Sequence, residues 1–228
     1  PMNMAWYDWE YSAEPEDSLD GRSLVTPRGK VLGGSSSING MIFVRGHEGD
    51  YRAWVDAGAK GWSYAEVLPY FKRMETAHGS IEPFRGKSGP LHVTHGMREN
   101  PLHQAFVEAA VQAGYAETLD YNGYRQEGFG PADMTVYKGR RWSSANAFLK
   151  PVLDRPNLHL VLRAKAEQIL LEGSKVVGLR FTKGGQSHQV RARKEVVLSS
   201  GAINSPLLLQ ASGIGDPNHL RSVGVEVR

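Results

Sequence analysis

Residues 28–41 read RGKVLGGSSSINGM and carry the strongest signal in the chain. Gly33 and Gly34 have no Cβ atom, so they accept a positive φ angle and let a ligand approach the backbone closely. The serines that follow add hydroxyl groups, and Arg28 and Lys30 add positive charge. Amides, hydroxyls and cations together bind anions, phosphate above all. The stretch predicts a ligand-binding loop, although an ordinary surface turn between two strands is the alternative.

A second glycine turn lies near the other end of the chain, where residues 201–215 read GAINSPLLLQASGIG. A predicted strand ends at Gly201, and Ser205 with Pro206 predicts a helix that stops at Gly213. A strand, a tight turn and a helix N-terminus present unpaired N–H groups and the positive end of the helix dipole. This arrangement suits the pyrophosphate or ribose of a dinucleotide. A plain strand–turn–helix connection of an α/β domain is the alternative.

Composition excludes several classes of protein. Of the 228 residues, 40% are hydrophobic and 22% are charged, which is typical of a soluble globular protein. The net charge is +3, but basic and acidic residues alternate without a long basic run, so nucleic-acid binding is not indicated. No apolar run approaches the roughly 20 residues that cross a bilayer. The chain has no Cys, which excludes disulfides and thiolate chemistry.

Capping residues predict two helices. The first begins after Ser63, where Glu66 completes a capping box and Trp62 is placed to pack on Val67, and Pro69 is expected to kink or delay it. The second has Asn100 as its cap and Pro101 at its first position, and it stops at Gly114. Each helix has an apolar face typical of packing against a core.

Short β-branched or apolar runs predict the strands. One covers Gly89–Thr94, another lies within Gly128–Tyr137, and the apolar residues Met41–Val44 fit either a buried strand or a helical turn. After Asn157 strands predominate, separated by turns at Gly173 and Gly184-Gly185. The predicted strands there are residues 158–162, 166–171, 176–182, 189–192 and 195–199.

The two glycine stretches together resemble a known family. RGKVLGGSSSINGMIFVRG, residues 28–46, resembles the first motif of the glucose-methanol-choline (GMC) flavoprotein oxidoreductases, and residues 201–215 resemble their second motif. Order and separation also match. The resemblance implies an α/β (α+β) fold, with a partial FAD-binding Rossmann-like domain and part of an antiparallel-sheet substrate domain. Residues 1–75 and 156–228 would belong to the FAD-binding domain, and residues 76–155 to the substrate domain.

By this resemblance, FAD is the cofactor and backbone atoms supply most of its contacts. Gly33 to Ser35 would shape the turn, Ala166 would hold the adenine through its amide and carbonyl, and residues 200–202 would line the adenosine. Some members of the family tether FAD through a His at the position of Ile38, so we expect a non-covalent flavin. The expected FAD-binding residues are Val31, Gly33, Gly34, Ser35, Asn39, Gly40, Met41, Ile42, Ala166, Ser200, Gly201 and Ala202.

Two other features could indicate a metal site or a catalytic segment, and we expect neither. The eight His residues show no spacing such as HExxH, so we predict no metal site. Residues 140–144, RRWSS, resemble a family segment that positions the substrate domain against the cofactor domain, and we expect no catalytic residue there. No GxGxxG precedes Arg28, and the family's catalytic His lies beyond its second motif. We therefore expect a central fragment that lacks both and is inactive alone.

In the complete parent enzyme, the resemblance implies oxidation of a primary alcohol, choline-like or aliphatic, to the aldehyde by hydride transfer to flavin N5. The closest branch is the choline-dehydrogenase-like alcohol dehydrogenases. The partners expected are a small alcohol, the remaining parts of the parent polypeptide, and quinone or oxygen as electron acceptor. We expect a cytoplasmic location, with membrane association left open. A hydroxynitrile-lyase-like enzyme and a non-catalytic module are the alternatives.

Overall fold

The computed structural model describes residues 5–79, 83–96 and 99–228. Its contacts divide the chain into two compact units, Pro1–Leu158 and His159–Arg228. We refer to them as the first and second units and describe each by itself. Helices and small sheets occur in both, so the expected mixed α/β class is confirmed. In the described part of the chain, every helix is too short or too polar to cross a membrane.

In the described part of the first unit, three α-helices accompany three two-stranded sheets. Its strands are β1 (Tyr11–Ser12), β2 (Val25–Thr26), β3 (Glu75–His78), β4 (Leu91–Thr94), β5 (Val136–Tyr137) and β6 (Arg140–Arg141). Strands β1 and β2 pair antiparallel, as do β5 and β6, whereas β3 and β4 are parallel. Its helices are α1 (Glu48–Asp56), α2 (Tyr64–Met74) and α3 (Pro101–Gln112), with 3₁₀ turns at Asp17–Leu19, Gly34–Ser37 and Lys150–Val152 and a π-helical turn at Ala145–Leu149.

The caps of α2 and α3 confirm the two predicted helices. The Ser63 hydroxyl accepts a hydrogen bond from the N–H of Glu66, and the Glu66 carboxylate accepts one from the N–H of Ser63. The Ser63 hydroxyl also donates to the Glu66 carboxylate, and this bond, with the one from the Ser63 N–H, lowers the pKa of Glu66. Pro69 lies inside α2 without ending the helix. The Asn100 side chain caps α3. Gly114, at a φ of 88°, follows the C-cap Ala113.

The apolar core of the first unit is small. Leu91, Val93 and Ala147 are buried together, and the half-buried Phe43, Met74 and Trp142 pack against them. Strand β4 therefore provides two of the three buried residues. The strand predicted at Gly89–Thr94 is confirmed as Leu91–Thr94. Of the region Gly128–Tyr137, only Val136–Tyr137 is a strand.

The second unit is a β-meander with two helices. Strands β7 (Ala164–Glu172), β8 (Lys175–Lys183) and β9 (Gln186–Arg191) form an antiparallel sheet in that order, followed by α4 (Gly201–Ala211) and α5 (Pro217–Ser222). The turns predicted at glycines 173, 184 and 185 are confirmed, and all three residues have a positive φ. The N–H of Ile169 donates to Ser212 Oγ at 2.8 Å, and this buried contact ties β7 to the end of α4.

Several predicted elements were wrong. Residues 158–162 and 195–199 form no strand, and no described strand pairs with them, which leaves Val161 52% and Val197 75% exposed. Apolar composition alone cannot make a strand, because its backbone groups need a neighbouring strand. Helix α4 begins at Gly201, four residues before the predicted start at Ser205. Residues Met41–Val44 form neither a strand nor a helix. Within them, Ile42 makes an isolated β-bridge to Met134.

Candidate functional site

The first glycine stretch folds into a tight loop, which we call the flavin loop, residues 31–42. Gly33 has a φ of 89° and Gly34 a φ of 53°, and a 3₁₀ turn follows at Gly34–Ser37. A Cβ atom on Gly33 would lie 2.5 Å from Ser37 Oγ and 3.2 Å from Ala145 Cβ. The positive φ and the crowding both require glycine at this position.

The segment before the flavin loop is anchored by a buried carboxylate. Asp8 accepts a hydrogen bond from the N–H of Arg28 at 2.8 Å, and this bond lowers the pKa of Asp8. The N–H of Gly29 donates to Ser35 Oγ at 3.2 Å. A Cβ atom on Gly29 would overlap the carbonyl of Gly34. The glycine therefore allows two parts of the stretch to lie backbone against backbone.

Residues about one hundred positions later hold the flavin loop from the other side. Ser144 donates from its hydroxyl to the Gly33 carbonyl at 3.1 Å, and its N–H donates to Ser36 Oγ at 2.9 Å. Arg141 Nη1 donates to the Asn39 carbonyl at 2.6 Å. The N–H of Thr135 donates to the Met41 carbonyl at 2.8 Å. These contacts come from β6 and the segments on either side of the β5–β6 hairpin.

The end of the flavin loop offers exposed hydrogen-bond donors. Met41 adopts a φ of 66°, which is uncommon outside glycine, and its N–H is satisfied by Asn39 Oδ1 at 3.0 Å. Gly40 and Ile42 on either side are exposed. Among the described residues, no group accepts a hydrogen bond from the N–H of Gly40 or of Ile42. Two donors without protein acceptors, one on each side of Met41, fit the oxygen atoms of a phosphate-bearing ligand.

The structure thus brings eight of the expected residues into one loop, namely Val31, Gly33, Gly34, Ser35, Asn39, Gly40, Met41 and Ile42. The loop fits FAD in its chemistry, since it combines a glycine turn, free N–H groups and nearby cations. Ile38 carries no atom that could form a covalent bond to a flavin. The role of each residue in binding stays a prediction.

The other four expected residues lie in the second unit. Gly201 has a φ of 89° and begins α4, with Ala202 in the first turn, where backbone N–H groups have no acceptor within the helix. The N–H of Ser200 donates to Ser205 Oγ at 3.1 Å. Ala166 lies on β7, opposite Phe181 of β8. Because β7 is an edge strand of its sheet, its outer backbone groups are available to a ligand.

Sequence reasoning missed a buried ionic cluster beside the flavin loop. Arg85 donates to Glu75 Oε1 at 2.9 Å, to Asp120 Oδ1 at 2.8 Å and to Asp133 Oδ2 at 2.6 Å, and Arg45 donates to Glu75 Oε1 at 2.5 Å. All five side chains are buried. Burial would lower the pKa of Arg85, but hydrogen bonding and the three carboxylates raise it overall. No local pattern signals this cluster, because its members are spread over 89 positions from 45 to 133.

The cluster fixes the chain where it leaves the flavin loop. Asn122, itself buried, accepts from the N–H of Arg45 at 2.7 Å and donates to the Phe43 carbonyl at 3.0 Å. The N–H of Phe43 donates to the Asp133 carbonyl at 2.8 Å. Residues 43–45 are therefore held by the same carboxylate-rich segments that neutralise Arg85.

Two histidines that carried no signal in the sequence meet on the parallel strand pair. His78 Nε2 lies 2.9 Å from His92 Nδ1, and the His92 ring stacks on Tyr137 with centroids 3.8 Å apart. Burial, with the nearby charges of His78 and Lys138, lowers the pKa of His92. In the part of the chain that the structure describes, no three potential metal ligands come together.

Two cavities lie away from the flavin loop. One cavity of about 210 Å³ is lined by Arg45, Tyr64, Phe84, Tyr121 and Asn122 among others, and one of about 420 Å³ by Phe84, Glu117, Leu119 and Arg125 among others. No residue of the flavin loop lines either. Although the deepest pocket is the usual first candidate for a site, the exposed donors and the glycine turn favour the flavin loop here.

Comparisons with known proteins identify the family of this chain. The sequence profile of the family described as GMC oxidoreductase matches residues 13–227. An oxygen-dependent choline dehydrogenase of Brucella anthropi is 57% identical over 227 residues, which is 100% of this chain and 41% of that protein. The protein of the same description from Sinorhizobium medicae is 52% identical, with the same coverage. The chain thus spans about two fifths of the length of the curated relatives it matches.

Solved structures show the same fold. A pyridoxine 4-oxidase from Mesorbium loti superimposes with a TM-score of 0.92 at 35% identity, over 97% of this chain and 44% of that one. An FAD-dependent oxidoreductase from Chaetomium thermophilum gives a TM-score of 0.91 at 28% identity, over 97% and 41% of the two chains. The chain therefore belongs to the GMC oxidoreductase family, whose cofactor is FAD.

Proposed function

We propose that this chain is part of an FAD-dependent dehydrogenase that oxidises a primary alcohol to the aldehyde, with choline as the first substrate to test. The choline dehydrogenases that match the whole chain support this substrate. Their description as oxygen-dependent also favours oxygen over quinone as the electron acceptor. We further propose that residues 1–75 and 156–228 belong to the FAD-binding domain and residues 76–155 to the substrate domain.

One observation carries the proposal. The flavin loop holds Gly40 and Ile42 at the surface with N–H groups that no described residue accepts from, beside a glycine turn that leaves the backbone open. In this proposal those N–H groups donate to FAD oxygen atoms, and Asn39 and Thr135 fix their direction through Met41. FAD, when bound, supplies the hydride acceptor for the alcohol carbon. The contribution of these residues is to bind and orient the cofactor.

In the second unit, we propose that Gly201 and Ala202 donate backbone hydrogen bonds to the adenosine side of the cofactor, and that Ser200, whose N–H bonds to Ser205, lines it. The N-terminus of α4 favours negative charge there. Ala166 would hold the adenine through its backbone groups on the open edge of β7. These roles use main-chain atoms, so the side chains need only be small enough to admit the ligand.

The first experiment blocks the approach of a ligand to the flavin loop without changing the fold of the loop. A Cβ atom on Gly40 would meet no protein atom within 4 Å, and Gly40 does not have a positive φ. Gly40→Ala is therefore expected to leave the unfolding temperature unchanged and to raise the dissociation constant of FAD about tenfold, because the new methyl group lies where the ligand approaches. Flavin fluorescence titration of the flavin-free protein measures this constant.

The second experiment tests the reaction. Because this chain alone is expected to be inactive, the complete enzyme that contains it is purified with its flavin and mixed with choline without oxygen, and the long-wavelength flavin absorbance is followed. Loss of absorbance that returns on admitting oxygen supports alcohol oxidation. Bound flavin that no alcohol bleaches would contradict it and favour the lyase alternative. An unchanged FAD affinity in Gly40→Ala would remove the flavin loop from the binding site.

A further inference from the structure

A single cation fixes the end of the flavin loop. Arg141 Nη1 donates to the Asn39 carbonyl at 2.6 Å, to Asn39 Oδ1 at 3.0 Å and to the Ser36 carbonyl at 3.4 Å. The same Asn39 Oδ1 accepts from the N–H of Met41. Arg141 therefore stabilises both the turn that ends at Asn39 and the positive φ of Met41. The backbone conformation of residues 39–41 in turn sets the direction of the N–H groups of Gly40 and Ile42.

The backbone of Arg141 is held in place by the neighbouring strands. It lies on β6, next to Trp142, whose Nε1 donates to the Pro90 carbonyl at 2.8 Å. Its partner strand β5 is attached to β4, where the Thr94 hydroxyl donates to the Val136 carbonyl at 2.6 Å and Tyr137 stacks on His92. An arginine on a fixed hairpin restricts a loop better than one on a mobile segment, because less conformational entropy is lost when the contact forms.

The charge of Arg141 is also left unneutralised. Within the described ranges no carboxylate forms an ion pair with Arg141, and its hydrogen bonds go to a side-chain amide oxygen and to carbonyl groups. Carbonyl oxygens satisfy the donors of a guanidinium but do not cancel its charge. The positive charge therefore remains at the Asn39 carbonyl, one residue before Gly40, and it favours a negatively charged ligand near this end of the loop.

We infer that Arg141 is the positioning residue of the flavin loop. It holds Asn39 so that the N–H groups of Gly40 and Ile42 are preset for the phosphate-bearing cofactor, and it adds the charge that favours that cofactor. This inference rests on the proposed binding of FAD by the flavin loop. Arg141 thereby acts on the cofactor through the loop.

The test compares two neighbouring arginines. Arg141→Met removes the contacts, and Arg140→Met removes the same charge from an exposed side chain for which the structure gives no contact. Arg141→Lys keeps a charged nitrogen with three donors, and since one nitrogen makes all three contacts in the native chain, it should restore much of the effect. Two quantities are measured: the dissociation constant of FAD, and hydrogen exchange of residues 36–42 in the flavin-free protein.

We expect Arg141→Met to raise the dissociation constant about tenfold or more, the weight of one charge-assisted hydrogen bond, and to speed exchange of residues 36–42. Arg140→Met should change neither by more than about twofold. Unchanged exchange in Arg141→Met, or equal effects of the two Met variants on FAD, would overturn the positioning role. Faster exchange with unchanged FAD affinity would instead overturn the proposed binding of FAD by this loop.

A second variant covers the case in which Arg141→Met does not fold. Ser144→Ala removes the hydroxyl that donates to the Gly33 carbonyl and leaves every charge in place. It should speed exchange at the start of the loop and leave the N–H groups of Asn39 and Met41, the part assigned to Arg141, as protected as in the native chain. Equal loosening of both parts would show that the loop opens as a unit, and the specific role of Arg141 would fall.

Discussion

Gly33 in the first glycine motif and Gly201 in the second have the same φ of 89°, but their surroundings differ. A Cβ atom on Gly33 would collide with Ser37 and touch Ala145, whereas one on Gly201 would meet nothing within 4 Å. The first loop is enclosed by distant parts of the chain. The second is the open start of a helix, shaped mainly by local backbone bonding. The same residue type thus serves a packed loop and an exposed helix end.

The difference extends to what supports each loop. The chain that leaves the flavin loop is held by the buried ionic cluster of Arg45, Glu75, Arg85, Asp120 and Asp133. Behind α4 lies a three-stranded meander whose contact with the helix runs through Ser212 and the buried Ile169 and Leu208. Changes to the cluster should therefore affect the first unit strongly, and equivalent changes on the surface of the second should have little effect.

The largest expected effect is that of Arg85→Met. This change leaves Glu75, Asp120 and Asp133 buried without their shared cation, and it should destabilise the first unit by about 3–5 kcal/mol. Urea unfolding followed by tryptophan fluorescence reports this unit alone, because all five Trp lie between residues 6 and 142. The control is Arg191→Met, which breaks the exposed ion pair with Glu172 in the second unit; hydrogen exchange of β7–β9 reports that unit, and its protection should change little. Similar losses from both variants would contradict the comparison.

A smaller effect separates the two glycines directly. Gly33→Ala and Gly201→Ala both force alanine into a left-handed conformation, at about 1–2 kcal/mol each. Gly33→Ala should lose on the order of 1–3 kcal/mol more, because its methyl group has no room. Tryptophan fluorescence follows the first variant, and hydrogen exchange of β7–β9 follows the second. Equal losses would mean that the enclosure of the flavin loop has no energetic weight.

The smallest effect concerns pH. The pKa of His92 is lowered in the folded chain by burial, His78 and Lys138, so the unfolded chain binds more protons just below pH 6.5. Stability is therefore complete above that pH and falls as the pH falls through it. His92→Phe keeps an aromatic ring against Tyr137 but cannot titrate. Urea unfolding at pH 7.5 and 5.5 should show a smaller loss for His92→Phe than for the native chain, and identical losses would exclude His92 as a source.

Local sequence signals were reliable where local bonding decides structure. The capping residues at Ser63 and Asn100 predicted two helix starts correctly, because a cap bonds to N–H groups two or three residues away. The turns at Gly173 and Gly184-Gly185 were equally readable. The segments at 158–162 and 195–199 were misread, because an apolar run becomes a strand only where another strand accepts its backbone bonds.

For the site, the order of residues was enough to predict the two glycine loops, and their part in binding FAD stays a prediction. Small residues and free amides are properties of the local chain, so they are visible in its order. Only the tertiary structure decided what holds the flavin loop: Arg141 and Ser144, a hundred residues away, and an ionic cluster drawn from five separate segments. Such contacts depend on which segments meet in space, and no local spacing records that.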